Sequence, residues 1–189
     1  MTAIEQKTIF FALSIIAISI LSLAQNAATG QVQNWRYMNM HRDFLTESEA
    51  RAFLAGQTWG RLATVGPDGP YITPLHYVLN DDKIYFHSST EGKKLDNLAA
   101  DSRVCFEVST LIDILEHHTP CKFSTRFISV QVFGKAYLVK ETEEKLAVLN
   151  LLAQRFMKSE FVPVDAAQAS KVSVIALHIE RISGRESKD

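Results

Sequence analysis

The 189-residue chain has only two cysteines, Cys105 and Cys121, and no C-x-x-C or H-x-x-x-H spacing. It therefore cannot be a disulfide-built scaffold, and the two side chains suit one disulfide in an exported protein as well as two buried thiols in a reducing one. A metal centre drawn from Cys105, Cys121, His117 and His118 lacks the usual ligand pattern. An excess of either charge is also missing: 20 Lys plus Arg stand against 21 Asp plus Glu. No overall basic field draws the chain to nucleic acid, and any anion it binds must be held locally. The G-x-G-x-x-G fingerprint is absent, which leaves a nicotinamide dinucleotide without its usual fold. There is no internal repeat and no low-complexity tract.

The one long uncharged run is "TIFFALSIIAISILSLA", residues 8–24, preceded by Lys7 and followed by a polar stretch. Ser22-Leu23-Ala24 places small residues at the −3 and −1 positions of a signal-peptide cleavage site. Residues 1–34 are thus expected to be a signal peptide or an N-terminal membrane anchor with its linker, and residues 35–189 one domain. Either makes the protein exported or membrane-anchored. A true start at Met38 or Met40 would make it cytoplasmic.

After the leader, "TESEARAFLAG" predicts a helix, with Thr46 and Glu49 as a capping box and Gly56 as its stop. "WGRLATV", the turn 66–69, "PYITPLHYVL", the turn 80–82 and "KIYFHS" predict three strands in tight antiparallel succession. "EGKKLDNLAAD" is a second helix, "RVCFEV" a fourth strand, and residues 110–122 a loop containing Pro120. In the fifth strand, "TRFISVQVFGKAYLV", Ile128, Val130 and Val132 share one face. Phe127, Ser129, Gln131 and Phe133 share the other, a mixed face suited to a ligand or partner subunit. "TEEKLAVLNLLAQRFM" is an amphipathic helix carrying Leu146, Leu149, Leu152, Ala153 and Phe156 on one stripe, and "KVSVIALHIERISG" is a sixth strand. Six strands without parallel crossovers predict an α+β fold built on a small, mostly antiparallel barrel.

The stretch "YFHSSTEGKKLDNL", residues 85–98, gathers a histidine, three hydroxyl residues, a glycine and two lysines between a strand and a helix. A helix N-terminus offers free N–H groups and a positive dipole end, and hydroxyls with ammonium groups complete a phosphate pocket. Helix capping by Ser or Thr, with solvated lysines, reads the same residues without a ligand. His76 reads as a structural or pocket-wall residue and His178 as a solvent-facing one. Trp59 and Tyr77 could stack on a cofactor or belong to the core.

Together, "GRLATVGPDGPYITPLHYV", "IYFHSSTEGKKLDNLAADSRVCFEV", "ISVQVFGKAYLV" and "IERISGR" resemble the pyridoxamine 5'-phosphate oxidase-like split-barrel flavoproteins, and within them the Nim nitroimidazole-resistance proteins, over about residues 40–185. The resemblance implies a six-stranded split β-barrel, a homodimer with two interfacial sites, and FMN in each. It implies phosphate contacts from Ser88, Ser89, Lys93 and Lys94, and bonds to the flavin ring from the backbone of Arg61, Leu62, Ala63 and Thr64. Thr73, Pro74, Leu75 and Tyr77 follow on the next strand, while Ser129 and Gln131 suit the cover from the opposing subunit. His87 matches a histidine near the cofactor and is the expected catalytic residue, a proton donor. The implied activity is reduction of a small acceptor such as a nitroaromatic or quinone. The alternative is a haem- or flavin-binding protein without turnover, with His76, His87, His117 and His118 as candidate haem ligands. The arginine–histidine set of the vitamin-B6 oxidases is not recognisable.

Overall fold

The computed structural model describes residues 42–188, and the hydrophobic leader lies outside them. No helix among the described residues is long and apolar enough to cross a membrane. The elements in chain order are β1 (Arg42–Leu45), α1 (Glu47–Gly56), β2 (Trp59–Gly66), β3 (Gly69–His76), β4 (Val78–Asn80), β5 (Lys83–Ser88), α2 (Lys93–Ala100), β6 (Arg103–Leu115), β7 (Ser124–Leu138), α3 (Thr142–Phe156), α4 (Ala166–Ala169) and β8 (Ser173–Ser187). All strand pairs are antiparallel, in the order β3-β2-β6-β7-β8-β5-β4 with β1 on β8. The fold is α+β, and the ladder does not close on itself.

Eight strands replace the six expected. The run "PYITPLHYVL" is divided at Tyr77, so that β3 and β4, consecutive in the chain, lie at opposite ends of the sheet order. One residue joins the two ends, which forces the sheet to curl into a barrel while leaving a seam without ladder hydrogen bonds. Tyr77 is fully buried, its hydroxyl donates to the Leu54 carbonyl at 2.6 Å, and its ring meets Phe106 edge-on. It belongs to the core, away from any surface that a cofactor could reach. The second difference is residues 110–122. Thr110 to Leu115 continue β6 against β7, with a bulge between Leu111 and Asp113, and only Pro120–Lys122 turn as a 3-10 helix. β1, before the first expected element, pairs with Gly184–Ser187 at the end of β8, which β7 pairs on the other side.

The barrel interior holds Leu54, Leu62, Phe86, Phe106, Val108, Val130, Val132, Ile175 and Leu177. A second cluster, with Val78, Tyr85, Val148, Leu152, Val174 and Ala176, lies between the sheet and α3. β8 is therefore buried on both faces, and its residues 174–177 show no alternation. The helices are set by local chemistry and by tethers. The Thr46–Glu49 capping box starts α1 as the sequence predicts. At its other end the Arg155 guanidinium donates to the carbonyls of Ala55 and Gln57, both at 2.6 Å, placing a cation at a helix C-terminus. Tyr85 fixes the start of α3 by donating to Glu144 at 2.9 Å. Cys105 and Cys121 are both free thiols.

Replacing Tyr77 with Phe leaves the Leu54 carbonyl buried without that donor. We expect a loss of roughly 1–3 kcal/mol in urea unfolding. A variant as stable as the parent would show that the seam does not rely on this bond.

Candidate functional site

The residues singled out in the sequence occupy three places. Arg61, Ala63, Ser129 and Gln131 lie on the outer face of the sheet. One cross-strand row runs Arg61, Glu107, Gln131, Ser183, and the next runs Ala63, Cys105, Phe133, Arg181. Arg61 pairs with Glu107 at 3.0 Å, Ser129 donates to Glu107 at 3.4 Å, and the Arg181 guanidinium lies 3.8 Å over the Phe133 ring. Burial, with Glu107 close by, raises the Cys105 thiol above its ordinary value. Gln131 is exposed, so the mixed face expected of β7 is present. Leu62 is different: it points inward and is fully buried. β2 is paired on both sides at Arg61, Leu62 and Ala63, where ladder bonds engage the backbone. From Thr64 to Gly66, as at Trp59 and Gly60, it is paired with β3 alone.

The Thr64–Gly66 end is where α2 packs. The Thr64 side chain is buried; its hydroxyl accepts from the Asn97 amide at 3.1 Å and lies 3.4 Å from the Tyr71 carbonyl. A Cβ at Gly66 would collide with Asn97 Oδ1, so a side chain there would have to displace the buried amide. Asn97 was not anticipated. An amide next to Leu98, on the buried side of an amphipathic helix, was the signal available.

The second place is the start of α2. Gly92, at φ +123°, turns the chain into the helix in a conformation that favours glycine, and no side chain caps the first turn. Ser89 is committed to the turn, its hydroxyl donating to the Glu91 carbonyl at 2.7 Å. Ser88 alternates with Ile84 and Phe86, faces inward, and its Oγ is buried without a hydrogen-bond partner. The two lysines part company. Lys93 pairs with Asp68 at 3.1 Å and lies over the Tyr71 ring at 5.7 Å. Lys94 is half-buried, makes no ion pair among the described residues, and burial lowers its pKa. A buried hydroxyl, an uncapped helix start and an unpaired ammonium group are the donor set that a phosphate monoester would take.

His87 occupies the third place, on the opposite face of β5 from Ser88. It opens with His76 onto a cavity of about 640 Å³ beneath α3. Its ring is accessible at the mouth, yet the walls desolvate it, and burial first, then His76 and Lys94, lower its pKa. His87 is thus coupled electrostatically to Lys94 but separated from Ser88 by the strand. His117 and His118 stack on each other 4.2 Å apart in the segment between β6 and β7. His178 is exposed on β8, as expected.

This arrangement can be placed among known proteins. The family model for pyridoxamine 5'-phosphate oxidase matches residues 46–186. The chain belongs to the pyridoxamine 5'-phosphate oxidase family. None of the curated proteins matches it. Among solved structures, a protein from Bacteroides thetaiotaomicron assigned to 5-nitroimidazole antibiotic resistance is 20% identical, with 78% of this chain and 89% of that one covered at a TM-score of 0.66. A FAD- and haem-binding protein from Mycobacterium smegmatis is 19% identical over 79% of this chain and 75% of its own, with a TM-score of 0.70. A FAD-binding protein from Mesorhizobium loti is 25% identical over 79% of this chain and all of its own, with a TM-score of 0.56. For this family member the likenesses show the fold.

The charge arrangement has a measurable sign. Because the folded His87 binds its proton less readily than the ordinary value of 6.5, the unfolded chain protonates first. This residue's contribution to stability is therefore present above 6.5 and is lost as the pH falls through the lower folded pKa. An anion at Lys94 should raise the His87 pKa, and so should Lys94→Ala, which removes a like charge. NMR titration of the imidazole with and without inorganic phosphate reads both. A pKa unmoved by either change would separate His87 from the anion site.

Proposed function

We propose that the protein is an FMN-dependent reductase of a small oxidised acceptor, such as a nitroaromatic or a quinone, and that it works as a homodimer. The observation that carries this reading is the donor set at α2: buried, unpartnered Ser88 Oγ, the uncapped turn at Gly92, and unpaired, half-buried Lys94. Membership of the family supports a flavin over other phosphate esters. When bound, FMN supplies the capacity to accept and return reducing equivalents.

The chain's own part is to hold and orient. Ser88, Lys94 and the first amides of α2 would take the phosphate. The backbone of β2 at Thr64–Gly66, which β6 does not pair and beside which α2 packs, is the proposed contact for the ring. The outer row of Arg61, Gln131 and Ser129 supplies polar cover from one subunit to the next. His87 is the proposed proton donor; its lowered pKa confines the charged, donating form to the acidic side of neutrality. The dimer reading is supported by Leu111, Ile112, Ile114 and Phe123, all on the β6–β7 extension and each half or more exposed. Such a strip is unusual on an isolated subunit.

A second reading, haem, is favoured by one feature: His76 and His87 open onto the same cavity, whereas His117 and His118 do not line it. The absorption spectrum of the protein as isolated separates the two. Paired flavin bands support the first reading, and an intense Soret band supports the second.

Two measurements test the main proposal. Lys94→Ala should weaken FMN about tenfold or more in a calorimetric titration, since a charge-assisted contact is worth roughly 1.5–3 kcal/mol. Lys93→Ala should cost less, because Lys93 already answers Asp68. Equal affinities for all three proteins would remove the phosphate assignment. Light scattering should give about twice the 21.2 kDa chain mass, less any leader removed. Ile114→Glu should shift it toward the monomer, and a parent protein that binds FMN as a monomer would sink the shared site.

A further inference from the structure

The cavity beneath α3 lies on the face of β5 opposite Ser88, and its lining is mostly apolar. Its walls are Leu149, Leu152, Ala153, Phe156, Val162, Val164 and Val172, and its only polar side chains are His76, His87 and Gln168. No carboxylate, ammonium or guanidinium group is among its lining residues. A charged ligand would thus find no counter-ion among the lining residues, Lys94 acting on His87 only from outside them, and would lose water that apolar contact does not replace. At about 640 Å³ it is of the size that holds a small organic molecule.

The polar groups are fixed in what they can offer. His76 Nδ1 lies 3.2 Å from the Thr58 carbonyl. A carbonyl only accepts, so that nitrogen carries the proton, and in the neutral imidazole Nε2 presents a lone pair. Gln168 is oriented by the capping box of α4: its Oε1 accepts from the Asp165 amide at 3.1 Å, which leaves the side-chain NH2 as a donor. The cavity therefore offers one fixed acceptor and one fixed donor, a pairing that a single hydroxyl group satisfies because it both donates and accepts. The His76 and Phe156 rings, 4.9 Å apart and tilted by 53°, form an aromatic corner at one wall. Val162, 87% exposed, extends the apolar surface outward at the rim.

We propose that this cavity is a binding site for an uncharged aromatic molecule carrying a ring hydroxyl, of the substituted or bicyclic phenol class. The hydroxyl donates to His76 Nε2 and accepts from Gln168, while the rings lie against Phe156 and the α3 side chains. His87 lines this cavity and is also the proton donor of the proposed flavin reaction, so the two readings share one residue; binding assayed with and without FMN keeps the failure of one distinguishable from the failure of the other.

The probe is 2-naphthol, titrated by its own fluorescence into the full chain, with naphthalene and 2-naphthoate as comparisons. We expect 2-naphthol to bind at least tenfold more tightly than either. Naphthalene lacks the hydroxyl, and 2-naphthoate brings an unanswered charge. Ala153→Phe, which fills the cavity from α3, should abolish binding of 2-naphthol and leave FMN affinity unchanged. His76→Phe should bring 2-naphthol down to the affinity of naphthalene. Should that variant fail to fold, the ligand series on the unaltered protein still decides the matter. Equal affinities for the three compounds, no binding of 2-naphthol at millimolar concentration, binding unaffected by Ala153→Phe, or a Soret band in the isolated protein that His76→Phe removes would each overturn the assignment.

Discussion

The hydroxyl of Tyr77, donating to the Leu54 carbonyl, lies where the two ends of the sheet order meet. The covalent chain brings β3 and β4 together there, but one residue does not close a barrel, and no ladder bonds cross the seam. Packing closes it instead. Tyr77 turns inward onto Phe106, and its polar end joins the last turn of α1 to the seam. Arg155 then ties the same helix end to α3. One buried phenol therefore links the seam, α1 and, through Arg155, the helix that roofs the cavity. Losing a buried hydrogen bond at such a junction is felt by every element tied to it.

The two lysines show how the fold divides stability from binding. Successive helical residues point about 100° apart, so Lys93 reaches the β2–β3 turn, where Asp68 answers it, while Lys94 turns toward His87. The first is an exposed ion pair of small value. The second is a cation held partly out of water with no ion-pair partner among the described residues, near an imidazole that also resists its charge. Such an arrangement opposes folding slightly and favours an incoming anion, the usual sign of a site kept for a ligand.

What could be seen in the sequence was what is local. The Thr46–Glu49 box, the amphipathic stripe of α3, the mixed face of β7 and the glycine opening α2 are written within a few residues of one another, and the structure has them. The break at Tyr77 is not local, because the group that turns the side chain inward is Leu54, 23 residues earlier. The continuation of β6 past Thr110 depends on β7 across the sheet, which accepts Ile112 only as a bulge. Within the candidate site, strand alternation separates His87 from Ser88 and was readable in principle. The parting of Lys93 from Lys94 required Asp68, the folded position of which no spacing announces. His76, read as a wall or structural residue, is both. Gln168 escaped notice although D-A-A-Q is itself a capping signature, because its significance lies in which amide atom the cap leaves over.

Gly66 has a consequence for any tethered anion. With no Cβ beneath Asn97, α2 is seated beside the end of β2 that β6 does not pair, and Asn97 lies only three residues along the helix from Lys94. The helix cannot roll or slide to follow what arrives without losing that buried amide contact. The distance between the anion site and the sheet edge is then a fixed gauge, set before any ligand is present. In the proposed function, phosphate esters would be sorted by the length of the chain between head and ring: one that is too short or too long must leave one end unbound.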